Sequence, residues 1–138
     1  IYDVIYCGYL HPLKGLDKLV EFAQQNPDRN ISVFGWGENN IEATFNSISN
    51  IDFFGKKDQQ EISEIFKRSK AIFHHPIVDE PFCRMVAEGL LCGVEEIIGD
   101  TERIGAYLEF IKEGKESFRE KCANASDIWW DKVEKINE

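Results

Sequence analysis

The sequence predicts an α/β domain in which a parallel sheet carries helices on both faces. Three observations carry that prediction. Short apolar runs recur along the chain, amphipathic stretches lie between them, and glycine, asparagine or aspartate stands at the joins. Strands of such a sheet are buried on both sides, so they read as unbroken apolar runs. Alternation of strand and helix is what a parallel sheet requires, because its crossovers are helical.

The first strand is expected at Val4–Cys7, inside the run Tyr2-Asp3-Val4-Ile5-Tyr6. The chain begins on this strand without a lead-in, which suggests a domain cut from a longer protein. Leu16, Leu19, Val20 and Ala23 then keep helical spacing. A second strand is expected at Ile31–Phe34 and a third at Ile51–Phe54. Ile62, Ile65 and Phe66 mark the next helix, and Ala71–His74 the fourth strand. Met85, Ala87, Leu90 and Leu91 describe a more buried helix, followed by a short strand at Glu96–Ile98. After Arg103 the pattern is helical to the end. Trp129 and Trp130 are expected on that last helix, with at least one partly exposed. Parallel sheets bind ligands beyond the carboxyl ends of their strands. The loops of interest are therefore Gly8–Lys14, Gly35–Asn39, Gly55–Asp58, His75–Phe82 and Gly99–Arg103.

The 138 residues fit one domain, 1–138, able to bury a sizeable core. A net charge of −9 argues against nucleic acid as a partner, since phosphate backbones need a basic face. Cys7, Cys83, Cys92 and Cys122 form no C-x-x-C pair, which argues against a zinc site or a disulfide framework. Reduced cysteines fit a cytoplasmic protein. No apolar run approaches the roughly 20 residues that span a bilayer.

Three segments offer chemistry. In the first, Gly8 lets a ligand approach the backbone, Gly15 opens a helix whose free N–H groups favour an anion, and Lys14 stands beside that end. An exposed lysine in a plain loop is the competing reading. In the second, Gly35-Trp36-Gly37 allows a tight turn, but Asn40 replaces the third glycine of a dinucleotide fingerprint, which argues against NAD. The third is Glu80-Pro81-Phe82-Cys83-Arg84-Met85-Val86-Ala87-Glu88. Pro81 suits a position at or just before a helix start, placing Glu80 in the loop and Glu88 inside the helix. A carboxylate among apolar residues costs free energy unless it is partnered, and sugar or ribose hydroxyls are suitable donors. The competing reading of Glu88 is an i,i+4 ion pair with Arg84, worth about 0.2–0.5 kcal/mol. For Glu80 it is a helix-capping charge. His74 and His75 point to opposite faces of their strand, a poor metal chelate, so that one can face the cleft while the other is structural.

Taken together and in order, these segments resemble the C-terminal domain of the retaining glycosyltransferases called glycosyl transferases group 1. Gly8 with Lys14-Gly15 matches the first donor-phosphate loop. Ser32 through Gly37 resembles the second strand and its glycine turn, and Ile51 through Gly55 the third strand and base-contacting turn. Glu80 through Glu88 is similar to the family's E-x7-E motif, in the form E-P-F-x-R, and Glu88 through Val94 to the helix end that follows.

The resemblance implies a Rossmann-like half of a GT-B fold, with the acceptor-binding N-terminal domain lying outside this sequence. It implies Lys14 on the diphosphate, Glu80 on the transferred sugar and Glu88 on the ribose. Amides of Cys83, Arg84, Met85 and Val86, beside Phe82, would touch sugar or phosphate; Gly55 and Lys56 would lie near the base, and Gly8 near the phosphates. Glu80 and Lys14 would carry the catalytic burden. It further implies a UDP- or GDP-linked sugar donor, retention of configuration, a role in glycan or polysaccharide synthesis, no cofactor or metal, and peripheral membrane contact through the other half.

The sequence departs from the family pattern at four places: Tyr9 replaces the usual Arg, Cys83 the usual Gly, Glu95 the usual Pro, and a glycine pair near Asp100–Arg103 is missing. The lost arginine is the argument for an alternative, a non-catalytic relative that binds a nucleotide sugar weakly or supports a partner domain. A nucleotide-sugar epimerase is disfavoured by E-P-F-x-R.

Overall fold

The computed structural model describes residues 1–38 and 40–124. Trp129 and Trp130 lie outside them. Five strands, β1 Tyr2–Leu10, β2 Ile31–Gly37, β3 Ile51–Phe53, β4 Ser69–Phe73 and β5 Glu96–Ile98, form one sheet in the order β3-β2-β1-β4-β5. Every pairing is parallel. Helices α1 Leu16–Gln25, α2 Ile41–Asn46, α3 Gln59–Lys67, α4 Arg84–Leu91 and α5 Gly105–Glu113 link and follow the strands. Residues 115–124 are again helical, set off from α5 by Gly114. This is the Rossmann-like architecture that the alternation predicts.

Neighbours along β1 feed opposite cores, which explains its continuous apolar run. Val4 and Tyr6 pack with Leu19 and Ala23 of α1, Phe45 of α2 and Phe73. Ile5 and Cys7 pack with Phe34, with Ile65 and Phe66 of α3, and with Ile72. Val86 and Leu90 of α4 join Ile104, while Ala87 joins Ala106 and Phe118, so α4 is buried against the C-terminal helices as well as the sheet.

Two strands run further than their apolar cores. β1 continues through Gly8 to Leu10, and β2 through Trp36 to Gly37, pairing Gly8 with Gly35 and Leu10 with Gly37. Gly8 and the Gly35-Trp36-Gly37 segment are therefore strand, not turn. The reason for glycine at position 35 is close approach: a Cβ there would stand 2.2 Å from the Gly8 carbonyl oxygen. α4 begins at Arg84, three residues beyond Pro81, with Cys83 as its N-cap.

The strand order reverses at β1, whose neighbours are β2 on one side and β4 on the other. A crevice opens at such a switch point, beyond the carboxyl ends of the strands. Gly8 of β1 and His74 after β4 stand there.

Candidate functional site

Two adjoining cavities occupy the crevice. One, about 210 Å³, is lined by Gly8, Tyr9, Lys14, His74, Glu80 and the start of α4. The other, about 410 Å³, is lined by Gly8, Trp36, Lys56, Gln59, Arg84 and Glu88 among others. Cys7, Gly8, Arg84 and Met85 line both, so the two form one trough along α4.

Glu80 stands at the first end and is one of three buried polar or charged residues among those described, with Ser32 and His74. Its backbone is fixed to the segment before α5: its N–H donates to the Arg103 carbonyl at 2.8 Å, and its carbonyl accepts from Gly105 N–H at 2.9 Å. Both carboxylate oxygens are partnered. The Lys14 ammonium donates to Oε1, and His74 Nε2 lies 2.6 Å from Oε2. Burial pushes the Glu80 carboxyl up, but hydrogen bonds from Lys14 and His74 more than offset this and leave it below its ordinary range. Lys14 comes from a 3-10 turn, Pro12–Lys14, that ends on Gly15, the residue capping α1. Its side chain is 45% exposed, so the exposed-lysine reading describes its solvent access but misses its partner.

Cys83 caps α4 without a side-chain hydrogen bond. The first-turn N–H groups that follow it have no carboxylate or hydroxyl cap and present an anion-favouring helix end to the trough. Phe82 is half-exposed beside them, and Val86 is fully buried beneath. Burial pushes the Cys83 thiol up to about 12, which makes it a poor nucleophile. His74, Glu80 and Cys83 do bring ring nitrogen, carboxylate and sulfur atoms within 4.8 Å of one another. With both Glu80 oxygens already hydrogen-bonded, the cluster is organised as a polar network.

Glu88 differs from its expected setting. It is not enclosed by apolar neighbours; its side chain is 30% exposed on the trough side of α4. Arg84 Nε donates to Oε1 at 2.7 Å, the i,i+4 pair foreseen as the competing reading, and Gln59 of α3 donates to Oε2 at 2.8 Å. Gly55 opens the turn after β3, and Lys56 places its ammonium 4.7 Å from the centre of the Trp36 ring. Lys14, Lys56, Lys57 and Arg84 thus gather around one trough of an acidic chain.

Sequence reasoning missed Trp36, Gln59 and the role of His74. Trp36 is 44% exposed at the end of β2, with Tyr9 6.0 Å away, ring centre to ring centre. Tyr9, standing where an arginine is usual, stacks on His11 and brings no charge. Of the two histidines, His74 faces the trough and His75 stacks on Phe73. No helix among the described residues is long and apolar enough to cross a membrane.

Comparison with known proteins bears on the family and the fold. The family model "Glycosyl transferases group 1" matches residues 2–136. Among solved structures, the chain is similar to AviGT4, a glycosyltransferase of avilamycin A biosynthesis, at 16% identity and a TM-score of 0.63, over 82% of this chain and 36% of that one. It is similar to Anabaena HepE, solved with UDP and glucose, at 20% identity and a TM-score of 0.61, over 79% of this chain and 31% of that one. It is also similar to the C-terminal domain of LpcC, a group 1 glycosyltransferase of Francisella tularensis, at 19% identity and a TM-score of 0.61, over 94% of this chain and 75% of that one. The chain therefore spans only a part of AviGT4 and HepE. No curated protein matches it. At these identities the structural likeness shows the fold, and the family model, matching nearly the whole chain, shows the rest: the chain belongs to the glycosyl transferases group 1 family and is a glycosyltransferase domain.

Proposed function

We propose that this chain is the C-terminal, donor-binding half of a retaining glycosyltransferase, and that it holds a nucleotide-diphosphate sugar along the α4 trough. The observation that carries the reading is the disposition of charge there. A buried carboxylate with a lysine stands at one end, a helix N-terminus and Arg84 line the middle, and a second carboxylate with Lys56 and Lys57 stands toward the other end. A nucleoside diphosphate sugar has the matching order of groups: hydroxyls, two phosphates, ribose, base. HepE, which shares the fold, was solved with UDP-glucose, which supports a UDP-linked donor.

In this reading Glu80 accepts hydrogen bonds from the transferred sugar and Glu88 from the ribose. Lys14 and the α4 amides take the diphosphate. Gly8 permits its close approach, and Gly55 and Lys56 flank the base. Departure of the diphosphate leaves an oxocarbenium-like centre, and stabilising the departing negative charge is this domain's main task. That work is done by the chain's own cations and amides. The acceptor would bind an N-terminal domain of the same enzyme, which also bears any peripheral membrane contact. We place the enzyme in the cytoplasm, in glycan or polysaccharide synthesis.

Calorimetric titration of UDP-, GDP- and ADP-sugars into the chain tests the reading. One of them should bind at sub-millimolar concentration and compete with its nucleoside diphosphate. Absence of binding at millimolar concentration of all three would favour the second reading, a non-catalytic relative that supports a partner domain. The observation on that side is Tyr9, which leaves the diphosphate one cation short.

A further inference from the structure

We propose that His74 is a positioning residue: it holds the Glu80 carboxylate toward the sugar while Lys14 transfers from Glu80 to the diphosphate. The inference rests on the donor-binding reading above and assigns a buried polar side chain of the trough that this reading leaves unused.

The two partners of Glu80 are unequal. His74 is 3% exposed and follows β4 directly, its N–H donating to the Ile98 carbonyl at 2.8 Å. It is fixed by the sheet. Lys14 sits on a flexible four-carbon stem, half in water, at the end of a short turn. A diphosphate placed against the first turn of α4 carries more charge than Glu80 and competes for the Lys14 ammonium. When Lys14 leaves, Oε1 regains an open acceptor position for a sugar hydroxyl. Without a second anchor, the carboxylate would be free to follow Lys14 toward the phosphates.

The tautomer follows from the surroundings. His74 Nδ1 is buried and has no hydrogen-bond partner among the described residues. A proton on Nδ1 would be a buried donor without an acceptor, and Nε2 would then turn a lone pair on a carboxylate oxygen. The proton therefore sits on Nε2 and is donated to Oε2. The residue acts as a rigid neutral donor, which orients Glu80 without neutralising it.

The test pairs His74→Leu, which keeps bulk and removes the donor, with His74→Gln, whose amide N–H reaches the place of Nε2, and His74→Asn, which stops short of it. Affinities are measured for the nucleotide sugar that the wild-type chain binds best and for its nucleoside diphosphate. Leu and Asn should weaken the sugar nucleotide about ten-fold and leave the nucleoside diphosphate within about two-fold, and Gln should restore most of the loss. Equal losses for both ligands, or no loss with only a lower melting temperature, would make His74 a packing residue and overturn the proposal. Should His74→Leu fail to fold, the comparison of Gln with wild type is joined by ¹⁵N spectra of the unliganded chain. A neutral ring protonated on Nε2 supports the assignment, and protonation on Nδ1 overturns it. If the wild-type chain binds no nucleotide sugar, the donor-binding reading falls and the role of His74 falls with it. Binding that is intact but insensitive to His74 removes this inference alone.

Discussion

At the scale of single residues, the two glutamates of the E-x7-E segment serve different parts of one trough, and the structure sharpens how each should behave. Glu88 has a neutral donor in Gln59 and a charged one in Arg84, and its side chain remains partly open to solvent. Glu88→Gln should weaken a nucleoside diphosphate and its sugar conjugate alike, because both carry the ribose, and by about ten-fold, as for a lost charge-assisted hydrogen bond. Glu80→Gln should separate the two ligands. It removes the acceptor proposed for the sugar hydroxyls and also releases Lys14, so the sugar conjugate should weaken about ten-fold while the nucleoside diphosphate binds at least as tightly as before. Calorimetry on both variants measures this. If Glu88→Gln spares the nucleotide and only lowers the melting temperature, the carboxylate is a structural partner of Arg84.

At the scale of elements, the trough depends on how closely the segment before α5 lies against the segment before α4. Gly105, the first residue of α5, makes that approach: a Cβ there would stand 1.8 Å from the Pro81 carbonyl oxygen and 3.1 Å from that of Glu80. The clash is with backbone, so it cannot be relieved by a rotamer change. Gly105→Ala should lower the melting temperature by roughly 5–10 °C and also weaken nucleotide-sugar binding, because Glu80 moves with Pro81. Gly55 is a contrast. Its φ is 79°, yet a Cβ would meet nothing within 4 Å. Gly55→Ala should therefore cost only backbone strain, about 1 kcal/mol. Thermal melts of the two variants check the ranking, and the reverse order would show that packing before α5 is looser than the structure has it.

At the scale of the whole molecule, the buried network at the switch point couples folding to pH. Burial keeps His74 neutral and lowers its pKa below the ordinary histidine value of 6.5, against the pull of Glu80; Lys14 and His75 add to the lowering. The unfolded chain therefore takes up the proton first. The stability that His74 contributes is complete above about pH 6.5 and is lost as pH falls below it. Glu80 and Asp3, both lowered, act lower down: their contribution is present above the ordinary carboxylate range and is lost as pH falls through it. The melting temperature should be level from pH 8 to 7 and fall in two stages below that. In His74→Gln the first stage should vanish and the carboxylate stage remain. A curve level down to pH 5 in the wild-type chain would contradict the burial assigned to His74.

The sequence by itself determined the class of fold, because strands buried on both faces must be apolar throughout and helices between them must keep one apolar stripe. It also determined the order of the chemical segments, and with it the resemblance that the family model bears out. Strand ends were less legible. Gly8 and Gly35 belong to strands because their backbones pair across β1 and β2, a contact between positions 27 residues apart (35 − 8) that no local pattern encodes. The surroundings of Glu88 were misread for a related reason: helical spacing shows which residues share a face but not what stands opposite, and Gln59 comes from another helix. Only the tertiary structure decided which partners Glu80 has. Lys14 precedes it by 66 positions and His74 by 6, and both reach it because the topological switch brings the ends of β1 and β4 to one crevice. Hydrogen bonds between side chains depend on distances of a few tenths of an ångström, and those are set by how the sheet and its helices pack.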